Sequence, residues 1–500
     1  MTESADELCN RASVQLEKLC VFHDTYFHSN KHLKQEKLLA MVQDIEKIVE
    51  RIAEASSDSK YNAKIAYVLG KARNCGDNYS AEAEMYLRRA VKLNIHDVNG
   101  WNTLAECLWK KTEYVEAKEC LLTSLATRPN VEAHCLLSML VKLMLNPAVV
   151  AAKLQAGGGA VSKIGLYTEM IEESIRHAKA AISLDIADSR SWYTLGNAWC
   201  SRFFSLSLEI QDLHRALACY NKAVGLLVSP PSSDSEDTPT LSSVFVVEGA
   251  AGACVSAARN RLPNPDLFHN KAVLCFYVQD YAGAVECYER AHSLDPGINP
   301  QIPAIVRYIQ SYGSSMRSMM PATGGDKDGA QGLGFYLRKK KAAEFVVQVR
   351  EAARGLEPPA VDVGFGRLRP GANPGVSVVL KLLTAVNPAH AGPTKARAGP
   401  GEGGREYRYS HSHPESTYLA LDCDGTLGFV SVFHIGSDAS LCDHHASSSV
   451  LLSVSTPSVR SGEGPTIIQV FDVSTCRANG KMVAARKIAA NKLSTRTFDS

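Results

Sequence analysis

Residues 189–204 read SRSWYTLGNAWCSRFF, with Trp192 and Trp199 seven residues apart around Leu195 and Gly196. Spacings of three, four and seven place these side chains on one face of a helix. The stretch is either one unusual helix or half of a unit that recurs. It recurs. From Trp101 the chain runs WNTLAECLWKKTEYVEAKECLLTSLATRP, with Leu104, Ala105, Leu108, Ala117, Leu121, Ser124 and Pro129 at offsets 3, 4, 7, 16, 20, 23 and 28 from the tryptophan.

Those offsets are the tetratricopeptide pattern, in which two antiparallel helices pack through small residues and a proline closes the unit. The opening stretch continues into RALACYNKAV, where Ala216, Tyr220 and Ala223 supply the second helix after an extended turn in FSLSLEIQD. A further copy has PDLFHNKAVLCFYVQ followed by Ala284, Tyr288, Ala291 and Pro296 in AGAVECYERAHSLDP. A more degenerate copy runs from Ala66, Leu69 and Gly70 through Ala83, Leu87 and Ala90 to Ile95, and another shows only its back half, with Ala178, Ala181 and Ile186. The pattern predicts a helical solenoid over about residues 60–300, with Trp101, Trp192 and Trp199 packed in its core.

Composition sets the outer limits. Five hundred residues with 45% apolar side chains suit two or three globular domains. Lys plus Arg number 54 against 52 Asp plus Glu, so nucleic-acid contact would need a local basic patch. The 14 cysteines contain no C-x-x-C pair, and MTESADELCN has no basic and apolar leader, so reduced thiols in the cytoplasm or nucleus are expected. The longest apolar run, LLSMLVKLML, is interrupted by Lys142 and ends at Asn146-Pro147, too short for a membrane span.

The order of parts predicts a multidomain α-then-β chain. Residues 1–58 should form helices packing on the solenoid, and 59–312 the repeats, with a disordered Pro-, Ser- and acid-rich insertion at about 229–262. AGGGAVSKIG at 156–165 falls where a third repeat turns between its helices, and Ser232, Ser233 and Ser235 lie in an acidic run that could accept phosphate. Residues 313–358 read as a linker with a basic helix opened by Arg338, Lys339, Lys340 and Lys341. From 359 to 490, short β-branched runs between Gly, Pro, Ser and Asp read as strands, with Asp424-Gly425 as a hairpin turn and 387–416 as a long loop. They fit a small five-stranded barrel of the oligonucleotide-binding type. Residues 491–500 form a tail.

No motif for an enzyme is present. The Gly-rich stretches lack the strand and G-K-[ST] ending of a nucleotide cradle. His411, His413, Cys423, His434, Cys442, His444 and His445 match no closed zinc spacing and read as surface residues, so no metal and no other cofactor is expected. In tetratricopeptide arrays the first helices line a groove, through positions −2, +1, +5 and +8 from the tryptophan. Here those are Asn99, Asn102, Glu106 and Trp109 in one repeat and Arg190, Tyr193 and Asn197 in another; Asp266, His269 and Tyr277 stand near them in the last. Asparagines can donate to and accept from an extended peptide, while Glu106, Arg190 and Asp266 can fix charged side chains. The alternative function is a barrel that binds single-stranded nucleic acid, for which Phe429 and Phe433 are the one stacking pair, in surroundings that are not basic.

RSWYTLGNAW, NPDLFHNKAVL, YAGAVECYERAHSLDP and LALDCDGTLGFVSVFHI, with NGK at 479–481, resemble the tetratricopeptide repeat protein 5 family over about residues 10–482. The resemblance implies a non-catalytic solenoid plus barrel with two roles. One is to bridge acetyltransferase coactivators in stress-response transcription. The other is to read the Met-Arg-Glu amino terminus of nascent tubulin on the ribosome and trigger decay of its mRNA. It also implies that Asp266 is the groove acid, that Lys142 stands where the family has Arg, and that Arg338–Lys341 touches ribosomal RNA. Two departures bear on this. A family acid after the last Asp-Pro is missing, the chain reading GINPQ, and Lys142 lacks the bidentate fork of Arg. Cytoplasmic and nuclear localisation is expected.

Overall fold

The computed structural model describes residues 4–27, 31–56, 61–144, 163–207, 209–228, 264–319, 339–354, 364–373, 376–386, 416–432, 451–455, 458–459, 466–470, 476–479 and 481–482. The insertion at 229–262, the serines 232, 233 and 235, the Gly-rich stretch up to residue 162 and the loop 387–415 lie outside the described residues.

Among the described residues, five helix hairpins form the repeats. The first helices are α3 (Asn62–Arg73), α5 (Val98–Lys110), α7 (Val131–Leu143), α9 (Ser189–Arg202) and α11 (Pro265–Tyr277). Their partners are α4 (Ala81–Leu93), α6 (Tyr114–Thr127), α8 (Lys163–Leu184), α10 (Ile210–Val228) and α12 (Tyr281–Leu294). Two longer helices, α1 (Ala5–Thr25) and α2 (Lys31–Ala55), pack on the start of this array through Leu19, Ile45, Ile52 and Val68. The end is covered by α13 (Ile302–Met319), against Phe276 and Ala291.

The sequence starts these helices at recurring places. Asp97, Asp188 and Asn264 each sit in extended backbone before a first helix and accept a backbone N–H from its first turn. Small residues then let the paired helices touch. A Cβ on Gly70 would stand 2.7 Å from Leu87 Cγ, and one on Gly196 would stand 2.6 Å from Tyr220 Cδ1.

The tryptophans divide unequally. Trp199 and Trp109 are buried, but Trp101 and Trp192 are half-buried, packed against the edge of the core. The reason is a hydrogen bond: Trp101 Nε1 donates to the Ile95 carbonyl at 2.8 Å, and Trp192 Nε1 to the Ile186 carbonyl at 2.9 Å. Each indole therefore ties its helix to the turn closing the preceding repeat. The extension after α9 is also more than a turn, because Phe203–Ser207 is a π-helical segment that buries Phe203 and Phe204 edge-on to Tyr277.

The β half contains β1 (Gly371–Ala372), β2 (Ser377–Ala385), β3 (Ser416–Leu421), β4 (Leu427–Val432), β5 (Leu451–Ser455), β6 (Ser458–Val459), β7 (Ile467–Val470), β8 (Cys476–Ala478) and β9 (Lys481–Met482). The strand order is β1-β6-β7-β4-β3-β2-β5-β8-β9, antiparallel except for the parallel β4–β7 pair. The expected closed five-stranded ladder is replaced by an open order. No described ladder joins the two end strands. Chain continuity joins the halves instead: β5 pairs with β2, and β6, two residues further on, pairs with β7. The β3–β4 hairpin turns at Asp424-Gly425, with Gly425 at φ 80°. The buried Asp422 carboxylate organises this turn by accepting from the backbone N–H groups of Asp424, Thr426 and Phe365.

The α and β halves share a packed interface. Tyr312, Met316 and Met319 of α13 cover Leu419, Leu421, Phe429 and Ile467 on the outer face of the sheet. Gln279, in the α11–α12 turn at φ 65°, donates to Ser431 Oγ at 2.5 Å and accepts from Gln469 Nε2 at 3.0 Å. Gln469 Nε2 also donates to the Val278 carbonyl at 2.8 Å. The basic helix α14 (Lys339–Arg354) lies on the sheet too, through Val349 and Ala353 against Val379 and Cys423, with Arg350 Nε donating to the Cys423 carbonyl at 2.9 Å.

Candidate peptide-binding face of the repeats

The first helices of successive repeats meet along one face, and polar side chains occupy the junctions. Between α5 and α7, the buried Asn102 donates through Nδ2 to Asn130 Oδ1 at 3.1 Å and to Glu132 Oε2 at 3.3 Å. Asn130 caps α7, so this contact fixes both the helix start and the spacing of the repeats. Between α7 and α9, Arg190 stands 3.7 Å from Glu132 Oε1.

Glu106 lies one turn beyond Asn102 on α5 and is half-buried. Burial raises its carboxyl above the usual range, with the charge of Glu132 adding to the effect; Lys71, Lys110 and Arg190 act in the opposite sense. Lys110 reaches the Asn74 and Gly76 carbonyls at 2.5 and 2.8 Å, closing the end of α3. Asn99, two residues before Trp101, is exposed.

Between α9 and α11 the polar residues turn inward. Asn270 Nδ2 donates to the Tyr193 hydroxyl at 3.1 Å and to Asn197 Oδ1 at 3.2 Å, and the Tyr220 hydroxyl donates to the same Asn197 oxygen at 2.6 Å. All four residues are buried. Tyr193 and Asn197 thus belong to a network that locks the fourth repeat to the fifth. Asn270, one turn after Asp266 on α11, was not singled out by the offsets; it stands between His269 and Lys271 and carries no spacing signal of its own.

The remaining candidates spread along the array. Lys142 is half-buried in the last turn of α7, in the third repeat, close enough to act on Cys200 of α9. Asp266 is 2% exposed in the first turn of α11, in the fifth repeat, where its charge suits the positive end of the helix. His269, one turn further, is buried with its ring edge-on to Tyr288 at 5.7 Å. Tyr277 and Trp109, at the far ends of their helices, are buried. Arg338 lies outside the described residues, while Lys339, Lys340 and Lys341 open α14.

Other chemistry is sparse. Burial pushes the Cys107, Cys120 and Cys135 thiols up to about 11 and Cys200 to about 12, so these sulfurs are protonated and poor nucleophiles at neutral pH. Among the described residues no cluster of His, Cys, Asp and Glu could hold a metal ion, and no helix is long and apolar enough to cross a membrane. Cys423 is buried; His411, His413, His434, Cys442, His444 and His445 lie outside the described residues. Phe429, offered above as half of a base-stacking pair, is fully buried beneath α13, and Phe433 is outside the described residues.

A tetratricopeptide repeat model matches residues 265–298, the α11–α12 hairpin. Tetratricopeptide repeat protein 5 of Mus musculus is 26% identical over 387 residues, covering 77% of this chain and 73% of that protein. The Bos taurus protein of the same name is 28% identical over 298 residues, covering 59% of this chain and 57% of its own length. The Homo sapiens protein is 27% identical over 295 residues, with the same two coverages of 59% and 57%. Over these spans the chain is similar to tetratricopeptide repeat protein 5. A protein-interaction adaptor is the role this similarity and the repeats support.

Proposed function

We propose that the chain is a non-enzymatic adaptor that holds an extended peptide along the first helices of its repeats. The observation that carries this reading is the polar lining of that face, where Asn102, Glu106, Glu132 and Arg190 gather at consecutive junctions of α5, α7 and α9. Amides bind main chain of any sequence, and the charges choose among side chains.

Within that reading, the resemblance to the tetratricopeptide repeat protein 5 family favours two settings: a bridge between transcriptional coactivators in the nucleus, and a reader of nascent tubulin on ribosomes in the cytoplasm. For the second, Asp266 would take the Arg and Lys142 the Glu of the Met-Arg-Glu terminus, while Arg338, Lys339, Lys340 and Lys341 would contact RNA phosphate. Fluorescence anisotropy with a labelled peptide beginning Met-Arg-Glu tests the groove part. Binding is expected to weaken about tenfold or more in Asp266→Asn, a charged hydrogen bond being lost. Profiling of ribosomes that carry the bound protein tests the cellular part; absence of enrichment for tubulin messages would remove the tubulin setting and leave the coactivator one.

A further inference from the structure

We propose that Asn102, Glu106 and Glu132 form a receptor for one basic side chain, a guanidinium or ammonium group, of a peptide lying along the first helices. This deepens the groove reading and rests on it. The receptor is separate from Asp266, which belongs to the fifth repeat.

Asn102 supplies the first reason. Its amide orientation is settled, because Nδ2 faces two acceptors, Asn130 Oδ1 and Glu132 Oε2. That leaves Oδ1 buried with no hydrogen-bond partner in a side chain only 2% exposed. A buried acceptor left unmade is costly, and most such atoms in folded proteins are met by a partner. What is missing at this point is a donor.

Glu106 supplies the second. It follows Asn102 by four residues and so lies on the same side of α5. Among the described residues no hydrogen bond or ion pair reaches its carboxylate. The cations whose charge reaches it have other engagements. Lys110 is bonded to the Asn74 and Gly76 carbonyls, Lys71 Nζ lies 3.2 Å from the Tyr67 hydroxyl, and Arg190 sits beside Glu132 at the long distance of 3.7 Å. The Glu106 carboxylate, the charge of Glu132 that acts on it and the unpaired amide oxygen of Asn102 therefore bear on one stretch of this face. A basic side chain supplies positive charge and several N–H groups at once. Arginine suits best, since its planar fork can reach a carboxylate and the amide oxygen together.

A positional-scanning library of labelled hexapeptides, bound to the full chain at neutral pH, is the test. Arg and Lys should be enriched at one position, by about tenfold for Arg over norleucine. Glu106→Gln, which keeps the shape of the side chain, should erase that preference, and Glu106→Lys should turn it toward Asp and Glu. Unchanged helical circular dichroism establishes that both variants are folded. A basic preference absent at every position, or present and unaltered by Glu106→Gln, overturns the receptor. If other preferences persist and respond to Asp266→Asn, the groove stands and only this receptor falls. If no position shows any preference, both fall.

Discussion

Glu84 holds together three elements by itself. Its carboxylate accepts from the Tyr79 hydroxyl at 2.6 Å, from Arg88 Nε at 2.7 Å and from Lys111 Nζ at 3.1 Å, and Arg88 continues to Glu116 on α6 at 2.7 Å. Burial opposes its ionisation, but these donors overcome that and hold the carboxyl at about 2. The folded value lies below the unfolded one, so the contribution is fully present above pH of about 4.5 and is lost as pH falls toward about 2. Glu84→Gln should lower the midpoint of denaturation at neutral pH, by a cost of about 1–3 kcal/mol, and flatten the acid limb between those two values. Gly196 makes the opposite point, that one hydrogen atom suffices. Gly196→Ala would drive a methyl into the Tyr220 ring, and because Tyr220 also bonds Asn197, the ring is not free to step aside. A loss of about 1–3 kcal/mol is expected in urea denaturation, despite the better helix propensity of alanine.

Among the elements, the α7–α8 hairpin carries a pH response. His134 Nδ1 and His177 Nδ1 lie 3.0 Å apart, so one ring donates and the other accepts, and the bond is lost once the accepting ring is protonated as well. Burial, with His134 as a like-charged neighbour, depresses His177 to about 4, and burial lowers His134. Folded values below the unfolded one favour the fold above pH of about 6.5, and that advantage is lost as pH falls toward about 4. Hydrogen-exchange protection, corrected for the intrinsic rate at each pH, should fall in α7 and α8 across this window while α11 and α12 hold; in His177→Gln the extra loss should disappear. The hairpins themselves were legible because their signals are local: a tryptophan, small residues at fixed spacing and a closing proline. The half-burial of Trp101 and Trp192 was not, because it depends on a carbonyl in the preceding turn that only the folded backbone places within reach.

At the scale of the whole molecule, the described residues of the repeats and the sheet meet through an apolar patch and a polar clasp. Phe429 lies under Tyr312 and Met316, and Gln279 adopts a left-handed backbone while bonded to Ser431 and Gln469. Removing a buried aromatic ring of this kind costs about 3–5 kcal/mol. Scanning calorimetry should therefore show α and β halves melting together in the parent chain, and Phe429→Ala should separate an early β transition from a later α one. Gln279→Gly, which relieves the backbone but deletes the clasp, should shift in the same direction by less.

The sequence by itself determined the repeats, the order of helices before strands and the Asp424-Gly425 turn, since periodicity and turn chemistry act over a few residues. It also marked the face on which Asn102, Glu106 and Arg190 stand. Only the tertiary structure decided what those residues do there. Asn102 and Glu132 meet across 30 positions, and Asn197 and Asn270 across 73, so their pairing depends on how one repeat stacks on the next. The same holds for Phe429, whose strand position was readable but whose cover, α13, comes from more than 100 residues earlier in the chain. Contacts across such separations follow from the packing of whole elements, and no local spacing encodes them.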